Sequence, residues 1–164
     1  MTATPGILIL GIGNVLHGDD GVGVRVVEAL GGEDAARAAR PGVTLRDGGT
    51  IGLALLPEIE DASALIVVDA AELGARAGTV RVFEGRAMDA QLGGRKRTVH
   101  EVTLSDLLAS AQLTGRRPAR RALVAIQPES TDWRTTPSEA VAAAIPRACE
   151  AVASLIDRWN DVAP

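Results

Sequence analysis

Five short apolar runs separated by helix-like segments predict an α/β protein: a single-domain three-layer sandwich, with a mostly parallel sheet of about five strands and helices on both faces. The runs are Ile7-Leu8-Ile9-Leu10, Val43-Thr44-Leu45, Leu65-Ile66-Val67-Val68, Val80-Arg81-Val82-Phe83 and Leu123-Val124-Ala125-Ile126. A second observation is the length: 164 residues, 46% of them hydrophobic, suit one domain over residues 1–164 with a substantial core. No repeat, linker or low-complexity stretch divides it.

The elements follow in order. The first run is short and β-rich enough to be a buried strand ending near Gly11. Gly11, Gly13, Gly18 and Gly21 make a glycine-rich turn that a Cβ would obstruct. Val22, Val26, Val27 and Leu30 share one helical face, so a helix is expected from about Asp20 to Leu30, stopped by Gly31-Gly32. One carboxylate of Asp19-Asp20 can serve as its N-cap, which leaves the other without a structural task. The second strand ends in the turn Asp47-Gly48-Gly49-Thr50, and Thr50 can cap a helix running through Ile59. The run from Leu65 to Val68 leads directly into Asp69, and Val80–Phe83 alternates like an edge strand. Residues 85–98 read as a polar loop closed by His100. Thr103-x-x-Asp106 resembles a capping box for the next helix. Thr136-Pro137-Ser138-Glu139 resembles another, opening a last helix to about Trp159 that Pro146 bends or divides.

Composition excludes several functions. The net charge of −4 argues against a general nucleic-acid binder, and Phe83, Trp133 and Trp159 are too few for a base-stacking platform. No run is long enough to cross a bilayer, and the amino terminus lacks the charged and apolar regions of a signal peptide. With Cys149 as the only cysteine, a reducing, cytoplasmic setting is expected. The turn after the first strand has Leu16 where a dinucleotide fingerprint needs its third glycine, and its acids would repel a pyrophosphate. There is no G-x-S-x-G elbow, and Cys149 falls in the last helix, where it packs rather than reacts. The only lysine, Lys96, sits between Arg95 and Arg97 in a polar stretch that suits a solvated loop better than a Schiff base.

In open parallel sheets the site lies outside the carboxyl ends of the strands. Polar groups fall there regularly: Asp19 and Asp20 after the first strand, Asp47 after the second, Asp69 after the third, Gln127 and Glu129 after the fifth. His100, before a helix, can reach the same edge. Carboxylates with an imidazole suit a divalent transition metal such as Ni, Zn, Mn or Fe, which polarises a carbonyl or activates water. Metal-assisted hydrolysis is the chemistry these residues predict. His17 is read as a solvated loop histidine, with a role as an extra ligand the alternative.

The ordered set G-I-G-N-x-L-x-G-D-D-G-x-G-x-R, D-G-G-T, I-V-V-D-A, a histidine before a helix and Q-P-E-S resembles the [NiFe]-hydrogenase maturation endopeptidases, from Gly11 to Trp159. The resemblance implies removal of a C-terminal extension from a hydrogenase large-subunit precursor after nickel insertion. It places Asp20, Asp69 and His100 at the catalytic, nickel-contacting positions, and makes Asp47, Gly48, Gly49 and Thr50 a loop that admits the substrate tail. The Ni2+ would come from the precursor, because three weak ligands suit docking onto metal held by a substrate. Ala125 stands where members often have glycine. A monomer acting on a large protein partner is expected. The alternative is a non-catalytic, metal-binding maturation chaperone of the same fold; a general metal-dependent amidohydrolase is a weaker third reading. Arg95-Lys96-Arg97 is read as an ordinary solvated loop, with docking to an acidic patch of the precursor as the sharper alternative. Arg116 to Arg121 should lie at the opposite edge.

Overall fold

The computed structural model describes residues 6–49, 52–94 and 99–161, with the side chains of 99–103 left aside. Five strands form one sheet: β1 (Ile7–Ile12), β2 (Val43–Gly49), β3 (Ala64–Ala70), β4 (Val80–Glu84) and β5 (Arg120–Ile126). The helices are α1 (Val22–Gly31), α2 (Ala35–Ala38), α3 (Leu56–Asp61), α4 (Arg86–Leu92), α5 (Val99–Leu113) and α6 (Glu139–Asp161). Spatial strand order is β2-β1-β3-β5-β4, all parallel except β4, which pairs antiparallel with β5 at the edge. The expected three-layer α/β sandwich is therefore the observed fold.

Strand alternation divides the core. Ile7 and Ile9 of β1, Ile66 and Val68 of β3, and Val124 and Ile126 of β5 pack with α1 and α6 on one face. Leu8, Leu10, Leu65, Val67 and Leu123 pack with α3, α4 and α5 on the other. Burial on both faces explains why these strands read as unbroken apolar runs. The chain leaves β1 for β2 on one side and returns to β3 on the other, so the carboxyl ends of β1 and β3 flank the point where strand order reverses. Such a reversal splays the adjoining loops apart and opens a crevice there.

Several boundaries differ from expectation. Asp47, Gly48 and Gly49 continue β2 rather than forming a turn, because Gly49 pairs with Ile12 across a register shift. Thr50 and its capping role lie outside the described residues. Residues 86–92 are α4, not loop: Met88 and Leu92, one helical turn apart, are both buried, and that spacing was readable. His100 sits in the first turn of α5 rather than in a loop, and Thr103 and Asp106 lie inside that helix instead of capping it. Thr and Asp three residues apart are compatible with either setting when no breaker precedes them. The cap of α6 is Ser138, whose hydroxyl accepts from the Val141 N–H at 3.4 Å, two residues after the expected Thr136. α6 runs through Pro146 as one 23-residue helix. No helix among the described residues is long and apolar enough to cross a membrane.

Candidate active site

β1 delivers the chain to Gly13, whose φ of +126° is left-handed-side backbone. A Cβ at Gly13 would also strike the Asp20 carbonyl, so glycine alone lets the loop fold back on itself. A 3-10 turn, Gly18–Gly21, then carries both carboxylates straight into α1. Gly23, in the first turn of α1, lies so near β3 that a Cβ would meet the carbonyls of Val68 and Ile12. Close approach at this glycine presses the acidic turn against the end of β3, beside Asp69. Of the other motif glycines, Gly18 does have positive φ, whereas Gly11 and Gly21 serve close packing.

Neither aspartate caps a helix. The residues preceding the 3-10 turn and α1 are His17 and Gly21, and no side-chain capping bond is made at either. Asp19 is wholly buried and accepts four hydrogen bonds. Oδ1 receives the Ser138 N–H at 2.6 Å; Oδ2 receives the Glu129 N–H at 2.8 Å, the Ser130 N–H at 3.1 Å and the Ser138 hydroxyl at 2.8 Å. Burial opposes the charge, but these donors outweigh it and hold the carboxyl below its ordinary value of 3.8. Asp19 thus ties the turn to the β5–α6 loop. Its partners stand more than a hundred residues away, so no local pattern reveals the clamp. Asp20 is only half-buried, and its Oδ2 accepts the Asn14 N–H at 2.9 Å.

Asp69 is the penultimate residue of β3 and 1% exposed. Alternation places it on the same face as Leu65 and Val67, the face covered by α3, α4 and α5. α5 runs antiparallel to β5: just past its carboxyl end, the Thr114 hydroxyl donates to Glu60 at 2.8 Å and Arg116 pairs with Asp61 at 2.7 Å, at the amino-end edge of the sheet. Fifteen helical residues rise roughly 22 Å, about the height of the sheet. The first turn of α5 therefore reaches the carboxyl rim, on the face to which Asp69 belongs. That turn contains His100, whose side chain is outside the described residues, as are Arg95, Lys96 and Arg97. Among the described residues no three His, Cys, Asp or Glu side chains group as a metal site.

The remaining candidates separate. Asp47 is exposed, pairs in register with Gly11 at the end of β1, and accepts the Gly49 N–H at 2.8 Å. Gln127 is buried and structural: Oε1 accepts the Leu73 N–H at 2.7 Å, and Nε2 donates to Glu72 at 3.2 Å, pinning the β3–β4 connection to the end of β5. Glu129 is exposed and contributes its backbone to Asp19. His17 packs edge-on against Trp133, ring centroids 5.1 Å apart.

The family model for HycI hydrogenase maturation proteases matches residues 24–155, a span that includes Asp69 and His100. The chain belongs to the hydrogenase maturation protease family. It is 43% identical over 155 residues to the hydrogenase expression/formation protein HupD of Rhodobacter capsulatus, an alignment covering 94% of this chain and 72% of that one. It is 36% identical to the hydrogenase 2 maturation protease of Escherichia coli, over 89% and 87% of the two chains. Its fold superimposes on the hydrogenase maturating endopeptidase HybD of E. coli with a TM-score of 0.85, at 32% identity and 93% coverage of each.

Within this maturation protease two other features stand apart from the rim. A cavity of about 850 Å³, lined among others by Ile7, Ser63, Arg116 and Pro118, lies at the amino ends of β1, β3 and β5. Arg116 and Arg117 are thus on the edge opposite the acidic turn, as expected. Cys149 is fully buried, and burial, with the nearby Asp34 carboxylate, pushes its thiol up to about 11. It is no nucleophile.

Proposed function

We propose that this endopeptidase removes the C-terminal extension of a [NiFe]-hydrogenase large-subunit precursor once nickel has been inserted, and that Asp20, Asp69 and His100 contact the nickel held by that substrate. The observation that carries the reading is the convergence at the switch point. The Gly13 and Gly23 close approaches seat the Asp20 turn on the end of β3 beside Asp69, and α5 brings its first turn, with His100, to the same rim.

The division of labour between the two aspartates supports this assignment. Asp19 has its oxygens committed to four internal donors, whereas Asp20 stands half-exposed on the turn that Asp19 anchors. Two carboxylates and an imidazole are apt donors for a divalent transition metal. The precursor's own ligands complete the coordination, so metal becomes the contact that distinguishes a loaded precursor from an unloaded one. Asp47, Gly48 and Gly49, beside the end of β1, form with Thr50 the segment past which the tail is led. The protein acts as a monomer on a much larger partner.

The test is mass spectrometry of nickel-loaded and nickel-free precursor incubated with the protein and with its Asp20→Asn variant. Release of a C-terminal fragment only from loaded precursor, and only by the unmodified protein, is the expected result. Cleavage of both precursors would keep the protease and discard the metal as its guide. No cleavage of a cognate loaded precursor would instead favour a non-catalytic chaperone.

A further inference from the structure

Among the described residues Trp133 is the third most exposed large apolar side chain, after Leu113 and Leu53, at 72%, and it is held in place rather than left loose. The Leu16 carbonyl accepts the Arg134 N–H at 2.9 Å, and the Arg134 carbonyl accepts the Gly18 N–H at 2.9 Å. These two rungs make a short parallel bridge between His17 and Arg134. The His17 ring then meets the indole edge-on, with planes at 86°. Leu16, 43% exposed, extends the apolar surface on the same loop. Keeping an indole in water and fixing it with an aromatic partner brings no folding benefit comparable to burying it. Fixed, solvent-facing aromatics are instead characteristic of recognition surfaces, where rigid area binds at low entropic cost.

The placement says what is recognised. His17 is three residues from Asp20, and the Asp20 N–H donates to the His17 carbonyl at 3.1 Å. The loop bearing Trp133 is the one whose Glu129, Ser130 and Ser138 clamp Asp19. The apolar patch is thus a continuation of the wall that presents Asp20. We infer that Trp133, buttressed by His17 and flanked by Leu16, is a specificity surface that seats an apolar side chain of the precursor's C-terminal segment. This inference rests on the proposed cleavage at the Asp20 rim. His17 then acts as a positioning residue for the indole, not as a metal ligand.

Because Trp133 is exposed, its truncation leaves the core untouched and the variant folds. In steady-state cleavage of nickel-loaded precursor, Trp133→Ala raises KM about tenfold with kcat within about twofold, the pattern of lost uniform binding. Trp133→Phe restores most of the loss, and His17→Ala raises KM roughly threefold. A binding readout independent of cleavage uses 5-fluorotryptophan in a Trp159→Phe background, so that Trp133 carries the sole fluorine. Its resonance shifts or broadens on adding unlabelled loaded precursor, and not on adding mature large subunit that lacks the tail. That shift supports the seat whether or not cleavage follows, whereas absent cleavage by the unmodified protein fails the proposed function alone. An unmoved resonance with both forms, or an unchanged KM in Trp133→Ala, overturns the inference.

Discussion

Asp19→Asn removes a charge and one acceptor from a site built entirely of donors. With the amide nitrogen at the Oδ1 position, the Ser138 N–H, now 2.6 Å from an oxygen, faces another donor. With it at Oδ2, the Glu129 and Ser130 N–H groups are both stranded. The first orientation is the milder one. It orphans one buried backbone donor, which costs about 1–3 kcal/mol, and reduces the remaining charge-assisted bonds to neutral ones of roughly half the strength. The total is about 3 kcal/mol, which for a chain of this size lowers Tm by roughly 6–12 °C. Acid should erase the difference. The folded carboxyl sits below its ordinary 3.8, so its contribution is complete above that pH and is lost as pH falls from 3.8 through the folded value. Other acids common to both proteins cancel in the comparison. Urea denaturation followed by circular dichroism between pH 7 and pH 3 measures both effects. A gap under about 1 kcal/mol at pH 7, or one that fails to narrow in acid, would refute the clamp.

Further outcomes follow from other contacts. Gly23→Ala drives a Cβ into the Val68 and Ile12 carbonyls; it should cost about 1–3 kcal/mol by thermal melting, and cleave loaded precursor far less than that loss explains, because the Asp20 turn moves off β3. Asp89 accepts two bonds from Arg121, at 2.9 and 2.6 Å, while the Arg121 side chain is 8% exposed. Asp89→Ala leaves that guanidinium in a mostly closed site; with Asp89 itself partly solvated, about 2 kcal/mol should be lost at pH 7. The Arg121 guanidinium holds the Asp89 carboxyl down, so this contribution too is present above 3.8 and disappears below it, as urea titrations at pH 3 would register. Cys149, with its thiol near 11, is ionised to about one part in a thousand at pH 8 and is shielded by the core, so a disulfide reagent should label it only after guanidinium unfolding.

The strands and the rim were legible because both are local consequences of side-chain type. A run such as Leu65–Val68 reports burial on two faces by itself, and an acid directly after it must emerge at the strand's carboxyl end. The glycines of the opening motif announced a turn that a Cβ would block, and Gly13 and Gly18 bear out that reading. α4 was also legible in principle, from Met88 and Leu92, but polar neighbours and Gly85 masked its one turn of periodicity. The division between Asp19 and Asp20 was not. Both are acids in one short turn, and only the arrival of Glu129, Ser130 and Ser138 from the far end of the chain buries one and leaves the other at the rim. The end of β2 likewise depended on a neighbour: Asp47-Gly48-Gly49 is turn-forming by composition and strand by its pairing with β1. Apolar pattern, read two or three residues at a time, selects elements and their faces. Hydrogen bonds between distant segments carry no sequence period, so which carboxylate is buried as an anchor and which one stays half-exposed was decided only when the β5–α6 loop closed over the turn.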